Sequence, residues 1–573
     1  MTLSLAIPAI LACLPVFQNQ LAIVEQPANS SAGTSIAPAI KVALQEAGGT
    51  VVPLSGVQVT LSFNNNPAGG TLSGTLTKTT AGGIAIFENV SINKSGSGYS
   101  LIAAARFYLS APTAAFDINA GAPARLKFVT NPPNVAAWEP AAQGAQVIVL
   151  DAFDNIVTNV NIPITIQLGS NPGVNLVHAS GMNAPILELI DPETPALLPP
   201  IVNPGPKNIS AMVYDPSSGK LMASDTNNLF NHINPFTGAK TVISPVPGLP
   251  QLKGLAFEPE TGALLGASIF DNVLYNVNPN TGVDTPLGVI TISRDSIQNL
   301  SSLATDPTTG IMYGTAQTFN FPATNRQLIT IDPATLHATS VGSTNNRPAG
   351  LAFLPDGTLI AVTGDGGSHP EQLFTVNKST GSLTHLLTLG NGDNGEAIAT
   401  IPAQLRGTTN INSSSGTATF NNYYITARGN NYSLVASSPG LANAASRPFD
   451  VAPPDVSGIV TFSTAAQSAN ENAGTISIIL TLDSARAHDV VAWLGVTGSA
   501  NGLGMSGADH NLSKSLDIPF TIPAGQASAS MPVNIINDSN DEPNETVIIT
   551  IKRVALGTAG AAAVHTITIL DND

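Results

Sequence analysis

The chain has 573 residues, 43% of them hydrophobic and only 10% charged, with 21 basic against 37 acidic side chains and a net charge of −16. That balance excludes a general nucleic-acid binder, which needs a basic face to neutralise phosphate. The single cysteine, Cys13, excludes disulfides within the chain, zinc ribbons and Cys-ligated clusters, and no two histidines stand four apart as a zincin helix requires.

Residues 1–20 contain an apolar run, Leu3–Leu14, too short to span a membrane. It has the length of a signal h-region, but no basic residue precedes it, and Leu11 spoils a lipobox at Cys13. A degenerate secretion signal, a lipoprotein signal and a linker from a longer gene all remain open.

From residue 21 onward an internal repeat decides the organisation. With a shift of 105, Val24 meets Val129, Pro27 meets Pro132, Val42 meets Val147 and Asn66-Pro67 meets Asn171-Pro172. With a shift of 333, Gly74 meets Gly407, Gly83 meets Gly416, Phe87 meets Phe420 and Tyr99 meets Tyr432. The difference is an insert of 228 residues in one loop of the second copy. Each copy alternates apolar and polar residues, as in Val57–Phe63, with turns about every ten residues, which predicts a β-sandwich. The expected domains are a sandwich over 21–120 and a second, discontinuous one over 124–181 and 404–452. The stretches QPANSSAG, NNPAGGTLSGT and GGIAIFENVSINKSGSGYSL resemble the tandem Ig-like repeats of bacterial surface proteins. The resemblance implies a spacer or stalk with no chemistry of its own, on an extracellular or cell-surface protein.

The insert, 182–403, carries its own repeat. Asp215-Pro216, Glu258-Pro259, Asp306-Pro307, Leu354-Pro355 and Ile401-Pro402 recur at spacings of 43, 48, 48 and 47. A second series runs through Asp191-Pro192, Asn234-Pro235, Asn278-Pro279, Asp332-Pro333 and Asn377-Lys378. Repeats of 40–50 residues with four strands each predict a β-propeller. The two series are offset, so one of five blades is shared between the ends of the insert. Its second strand is the insecure one, with Leu176-Val177-His178 as candidate. The strands lining the channel carry Ser210, Lys253, Ser301, Ala349 and Ala397, not the gathered His, Glu and Asp of propeller enzymes. Asp365 and Asp393 lie in Gly/Asn-rich loops that read first as tight turns. The propeller is therefore expected to dock a protein or carbohydrate ligand on its face. A secreted hydrolase or lyase carried on sandwich modules is the alternative.

The last domain is expected over 455–573. Asp538, Asp541, Glu542 and Glu545 fall within eight residues, and such carboxylates repel unless a cation joins them. The order Val460-Thr461-Phe462, Glu471-Asn472-Ala473-Gly474, Gly507-Ala508-Asp509-His510, the acidic loop, and the terminal Ile569-Leu570-Asp571-Asn572-Asp573 resembles a Calx-beta domain, a calcium-binding sandwich. The resemblance implies Ca²⁺ held by Glu471, Asp509, Asp538, Glu542, Glu545, Asp571 and Asp573, with Asp541 beside them. His510 stands where the family usually has Tyr, a packing position. The fold class that follows is all-β: two Ig-like sandwiches, the second interrupted by a five-bladed propeller, then a Calx-beta sandwich. The function expected is non-catalytic, in adhesion, interaction or structure.

Overall fold

The computed structural model describes residues 19–179, 187–202, 209–244, 251–292, 297–318, 326–364, 371–389, 397–515, 517–539 and 541–572. Among these the chain is strand and turn, with one short 3-10 turn at Glu471–Ala473. None of its helices is long and apolar enough to cross a membrane.

The first sandwich sets the strands Gln20–Glu25, Ile40–Gln45 and Ile84–Phe87 in one sheet. A second sheet runs through Phe116–Asn119, Gly96–Ala104 and Gln58–Asn65. Alternate residues fill the core between them, among them Val42, Leu44, Phe87, Tyr99 and Leu101. The second sandwich repeats this plan across the insert. Arg125–Thr130 pairs with Ala145–Leu150, which pairs with Thr417–Phe420. The register is conserved between the copies: Ile40 faces Phe87 and Val42 faces Ala85, while Ala145 faces Phe420 and Val147 faces Ala418. Val147 and Phe420 thus share one core.

Smaller devices recur at the same offsets. Tyr99 donates its hydroxyl to Lys94 O at 2.9 Å, and Tyr432 donates to Ala427 O at 2.8 Å. Gly74 and Gly407 both have positive φ, and a Cβ there would meet the carbonyl oxygens of Asn89 and Asn422 at 2.1 and 2.0 Å, so only glycine fits.

The propeller comprises, among the described residues, five sheets of four or five strands. The innermost strands neighbour one another in a closed ring: Ile209–Asp215, Leu252–Phe257, Ile297–Thr305, Pro348–Phe353, Ala397–Pro402 and back to Ile209–Asp215. Closure lets each blade cover the faces of its two neighbours. The recurrent Asp/Asn-Pro turns are Asx turns. Asp215, Asn234, Asn278, Asp306 and Asp332 each accept a backbone N–H from two residues on, at 2.7–3.0 Å.

The closing blade orders Ala196–Val202, Leu187–Asp191, Val174–Ala179 and Ala397–Pro402. Val174–Ala179 is therefore propeller, not sandwich, and the expected boundary at 182 falls too late in the chain. The strand is buried at five consecutive positions, Asn175–Ala179, so it lacks the alternation that marks a half-buried strand. The ends of the insert meet at one hydrogen bond, Ala403 N to Gly173 O, 2.8 Å.

The last domain stacks two sheets. One orders Ser528–Asn534, Thr475–Leu482, Gly458–Phe462 and Gly557–Ala559. The other orders Ala466–Asn470, Val564–Leu570, Glu545–Ala555, Val490–Thr497 and Ile518–Ile522. Val460, Leu480, Val490, Val547 and Ile567 are in its core. Its outer face packs Val491, Trp493 and Ala555 against Leu176, Ile190 and Leu197 of the closing blade. Arg553 pairs there with Glu188 and lies 4.5 Å over the Trp493 ring.

Candidate metal centre

The acidic end of the last sandwich is assembled by strand register. Ala466–Asn470 runs parallel to Val564–Leu570 with Asn470 beside Leu570, so the next residues, Glu471 and Asp571, emerge side by side. Glu545 opens the neighbouring strand opposite Ile569. Asp509 comes from the loop between Val490–Thr497 and Ile518–Ile522. It is fixed by its N–H to Asn501 O, 2.9 Å, and by Ile536 N–H to its own carbonyl, 2.9 Å.

These elements bring donor oxygens of Asp509, Glu542 and Glu545 within 4.8 Å of one another. Glu471 and Asp571 line the same small cavity, whose free room of about 10 Å³ suits one water-sized sphere. Glu471 and Asp509 are buried. Glu471 Oε1 accepts the Asp538 N–H at 2.8 Å, while Glu471 Oε2 and Asp571 Oδ1 are buried with no hydrogen-bond partner. A buried carboxylate oxygen without a donor is costly.

The crowding shows in protonation. Burial, a hydrogen bond with Asp509 and the charges of Asp509 and Glu542 push the Glu545 carboxyl up to about 7, against a smaller pull from Lys514. Glu542 is also pushed up, by desolvation and then by the charges of Asp509, Asp538, Glu471 and Asp571. The donor set is all hard oxygen, which suits a cation such as Ca²⁺ and not a thiolate- or imidazole-seeking metal.

Of the eight residues expected at the site, the structure gathers Asp509, Glu542, Glu545, Glu471 and Asp571. Asp538 joins through its backbone. Asp541 is exposed and does not line the cavity. Asp573 lies outside the described residues. His510 is fully buried, and its Nδ1 accepts the Leu512 N–H at 3.1 Å, as a packing residue does. Sequence reasoning missed Lys514, whose Nζ donates to Gly498 O and Ala500 O at 2.6 and 3.0 Å and brings a positive charge to the rim of the cluster. Its loop carries no motif that would have placed it there. Asn544 and Asn572 were also missed. Their side chains accept the N–H groups of Asp571 and Asn472 and hold the two ends of the site.

In the propeller, Met212, Tyr214, Leu255, Phe257, Leu303 and Phe353 line a cavity of about 310 Å³ at one end of the channel. Of the channel residues expected from sequence, Ser210 is buried and donates to Leu252 O at 2.9 Å, and Lys253 and Ala397 line a smaller recess beside it. His232 Nε2 lies 2.7 Å from Pro279 O, and His385 Nε2 3.1 Å from Thr388 Oγ1. Asp365, His369 and Asp393 lie outside the described residues.

No protein-family model matches the chain, and no curated protein matches it. Among solved structures, the apo-form Calx CBD1 domain is 16% identical over 20% of this chain and 98% of that domain, with a TM-score of 0.18. A gluconolactonase from Xanthomonas campestris is 15% identical over 51% of this chain and 98% of its own, with a TM-score of 0.26. A structural genomics protein of unknown function from Bacteroides thetaiotaomicron is 11% identical over 71% and 98%, also with a TM-score of 0.26.

Proposed function

We propose that this chain is a non-catalytic extracellular or cell-surface protein whose last sandwich binds Ca²⁺, with a role in adhesion, interaction or structure. The observation that carries the proposal is the pair of orphaned buried oxygens, Glu471 Oε2 and Asp571 Oδ1, in a cavity shared with Asp509, Glu542 and Glu545. Bound there, the cation would neutralise the repulsion and tie the Glu471 turn, the acidic loop and the terminal segment together. In this reading the two sandwiches are spacers. The propeller presents a protein or carbohydrate docking face, and the apolar, aromatic lining of its channel offers contact surface rather than an acid–base pair.

The test is the thermal unfolding of the full chain in Ca²⁺ and in chelator. Calcium at 100 times its Kd adds about 2.7 kcal/mol to the state that binds it. For a domain of this size that is a shift on the order of 10 °C in the transition of the last domain. The double substitution Glu542→Gln, Glu545→Gln should abolish the calcium-dependent shift in a protein that still folds in chelator. Equal melting with and without Ca²⁺ in the unaltered protein would remove the calcium reading.

A further inference from the structure

A cleft of about 360 Å³ opens where three parts of the chain meet. The second sandwich contributes Trp138, Arg406 and Tyr424, the closing blade contributes Pro199 and Pro200, and the last domain contributes His488 and Asp489. It is separate from both the acidic cluster and the propeller channel.

Two of its walls are aromatic. The Trp138 and Tyr424 rings lie 5.8 Å apart, inclined by 34°. Trp138 is held at φ 68°, a backbone conformation bulky residues seldom adopt, by its N–H to Ile425 O at 2.9 Å. Such strain persists where the surroundings over-determine it, often beside a ligand.

Two polar atoms in this lining lack partners. Trp138 is 8% exposed and His488 6%, and Trp138 Nε1 and His488 Nε2 are buried without a hydrogen bond. His488 Nδ1 sits 2.7 Å from Glu139 Oε1 and donates its N–H there, so Nε2 is the ring nitrogen left without a partner. The residues lining the cleft therefore hold two orphan ring nitrogens, the Trp138 indole donor and His488 Nε2. A hydroxyl answers both, because it accepts and donates at once. At the rim Arg406 and Asp489 carry opposite charges that cancel. Both are partly used already: Arg406 Nη2 donates to Phe236 O at 2.8 Å, and Asp489 Oδ1 accepts the Ala524 N–H at 2.8 Å.

Aromatic faces, unsatisfied hydroxyl partners and cancelling charge match a ligand with an apolar C–H face and a hydroxyl edge. We infer that the cleft binds a neutral pyranose ring of a glycan. Its volume lies at the lower end of the roughly 300–1,000 Å³ of small-molecule sites, which suits a ring or two rather than a long peptide.

The probes are cellobiose, maltose and lactose, titrated into the full chain. The readouts are saturation-transfer NMR and tryptophan emission. There are two tryptophans, and Trp493 is fully buried, so Trp138 is the responsive one. At least one disaccharide should saturate the protein. Trp138→Phe keeps an apolar ring but deletes the donor, and should weaken binding about tenfold. If that variant fails to fold, Tyr424→Leu, which removes the other aromatic wall, should weaken the same sugar. Absence of saturation by all three sugars, or unchanged affinity in both variants, overturns the inference. So does saturable binding of oligoproline in place of the sugars, which would make this a peptide cleft.

Discussion

Replacing Arg553 by Met should loosen the last domain from the propeller. Arg553 pairs with Glu188 on the closing blade, and the two side chains are 11% and 1% exposed. Its Nη1 also donates to Leu389 O, and its guanidinium carbon stands 4.5 Å over Trp493. Burial alone would raise the Glu188 carboxyl, but Arg553 first and His178 next, its Nδ1 3.4 Å away, outweigh burial and hold it below its ordinary value. Methionine keeps the stem and its packing on Trp493 but leaves Glu188 facing His178 alone. Breaking a buried pair on one side costs about 3–5 kcal/mol, because a charge stays buried without its partner. The double variant Glu188→Gln, Arg553→Met removes both charges and should cost at least about 1 kcal/mol less than the sum of the singles. Urea unfolding monitored by Trp493 emission, with Trp138→Phe as the common background, reads this interface directly. A chain of several domains need not unfold in one step, so the relevant quantity is the transition in which Trp493 becomes exposed. An Arg553→Met cost under about 1 kcal/mol, with the double variant additive within about 0.5 kcal/mol, would refute the reasoning.

Three further outcomes follow from particular contacts. Burial would raise the Asp306 carboxyl, but Lys378, Thr308 and the Thr308 N–H hold it down at about 2. Its contribution is present above its ordinary value near 3.8 and lost as pH falls towards 2, so Asp306→Asn should destabilise the propeller by about 1.5–3 kcal/mol at pH 7 and flatten its acid unfolding curve. Glu545 has the opposite sign. Its raised carboxyl favours the folded state most below about 4.5, and that contribution is lost as pH rises to about 7. Melts in chelator should show the last domain weakening over this range, and Glu545→Gln should remove that slope. Because Gly173 O and Ala403 N are already 2.8 Å apart, replacing residues 174–402 by a short glycine linker should leave the second sandwich folded; loss of a cooperative β-sheet melt in that sandwich would count against the insertion.

The repeat was legible because its register is a physical ladder. Shifts of 105 and 333 carry the pair Val42–Ala85 onto Val147–Ala418, so the alignment of sequence and the alignment of strands are the same fact. The acidic cluster was legible for a similar reason. The sandwich ends its parallel strands at Asn470 and Leu570, which sends Glu471 and Asp571 to one end whatever the loops do. Asp541 could not be separated from Glu542 by sequence, since side-chain direction in an irregular loop has no period to read.

The interface and the cleft were less visible. Trp138 and Asp489 belong to no motif, and only the meeting of three parts of the chain gives them a common space. Yet one signal was present. The strand Val490-Val491-Ala492-Trp493-Leu494-Gly495-Val496 is apolar without alternation, and it is buried at all seven positions. A sandwich strand that faces solvent on one side should alternate. Continuous apolarity therefore announces a second covered face, and the closing blade is what covers it, through Leu176, Ile190 and Leu197. Val490–Thr497 lies inside its sheet, between Glu545–Ala555 and Ile518–Ile522, so the covered surface is the broad outer face of the sandwich. Docking that face on the closing blade sets the last domain beside the second sandwich and brings His488 and Trp138 to one cleft.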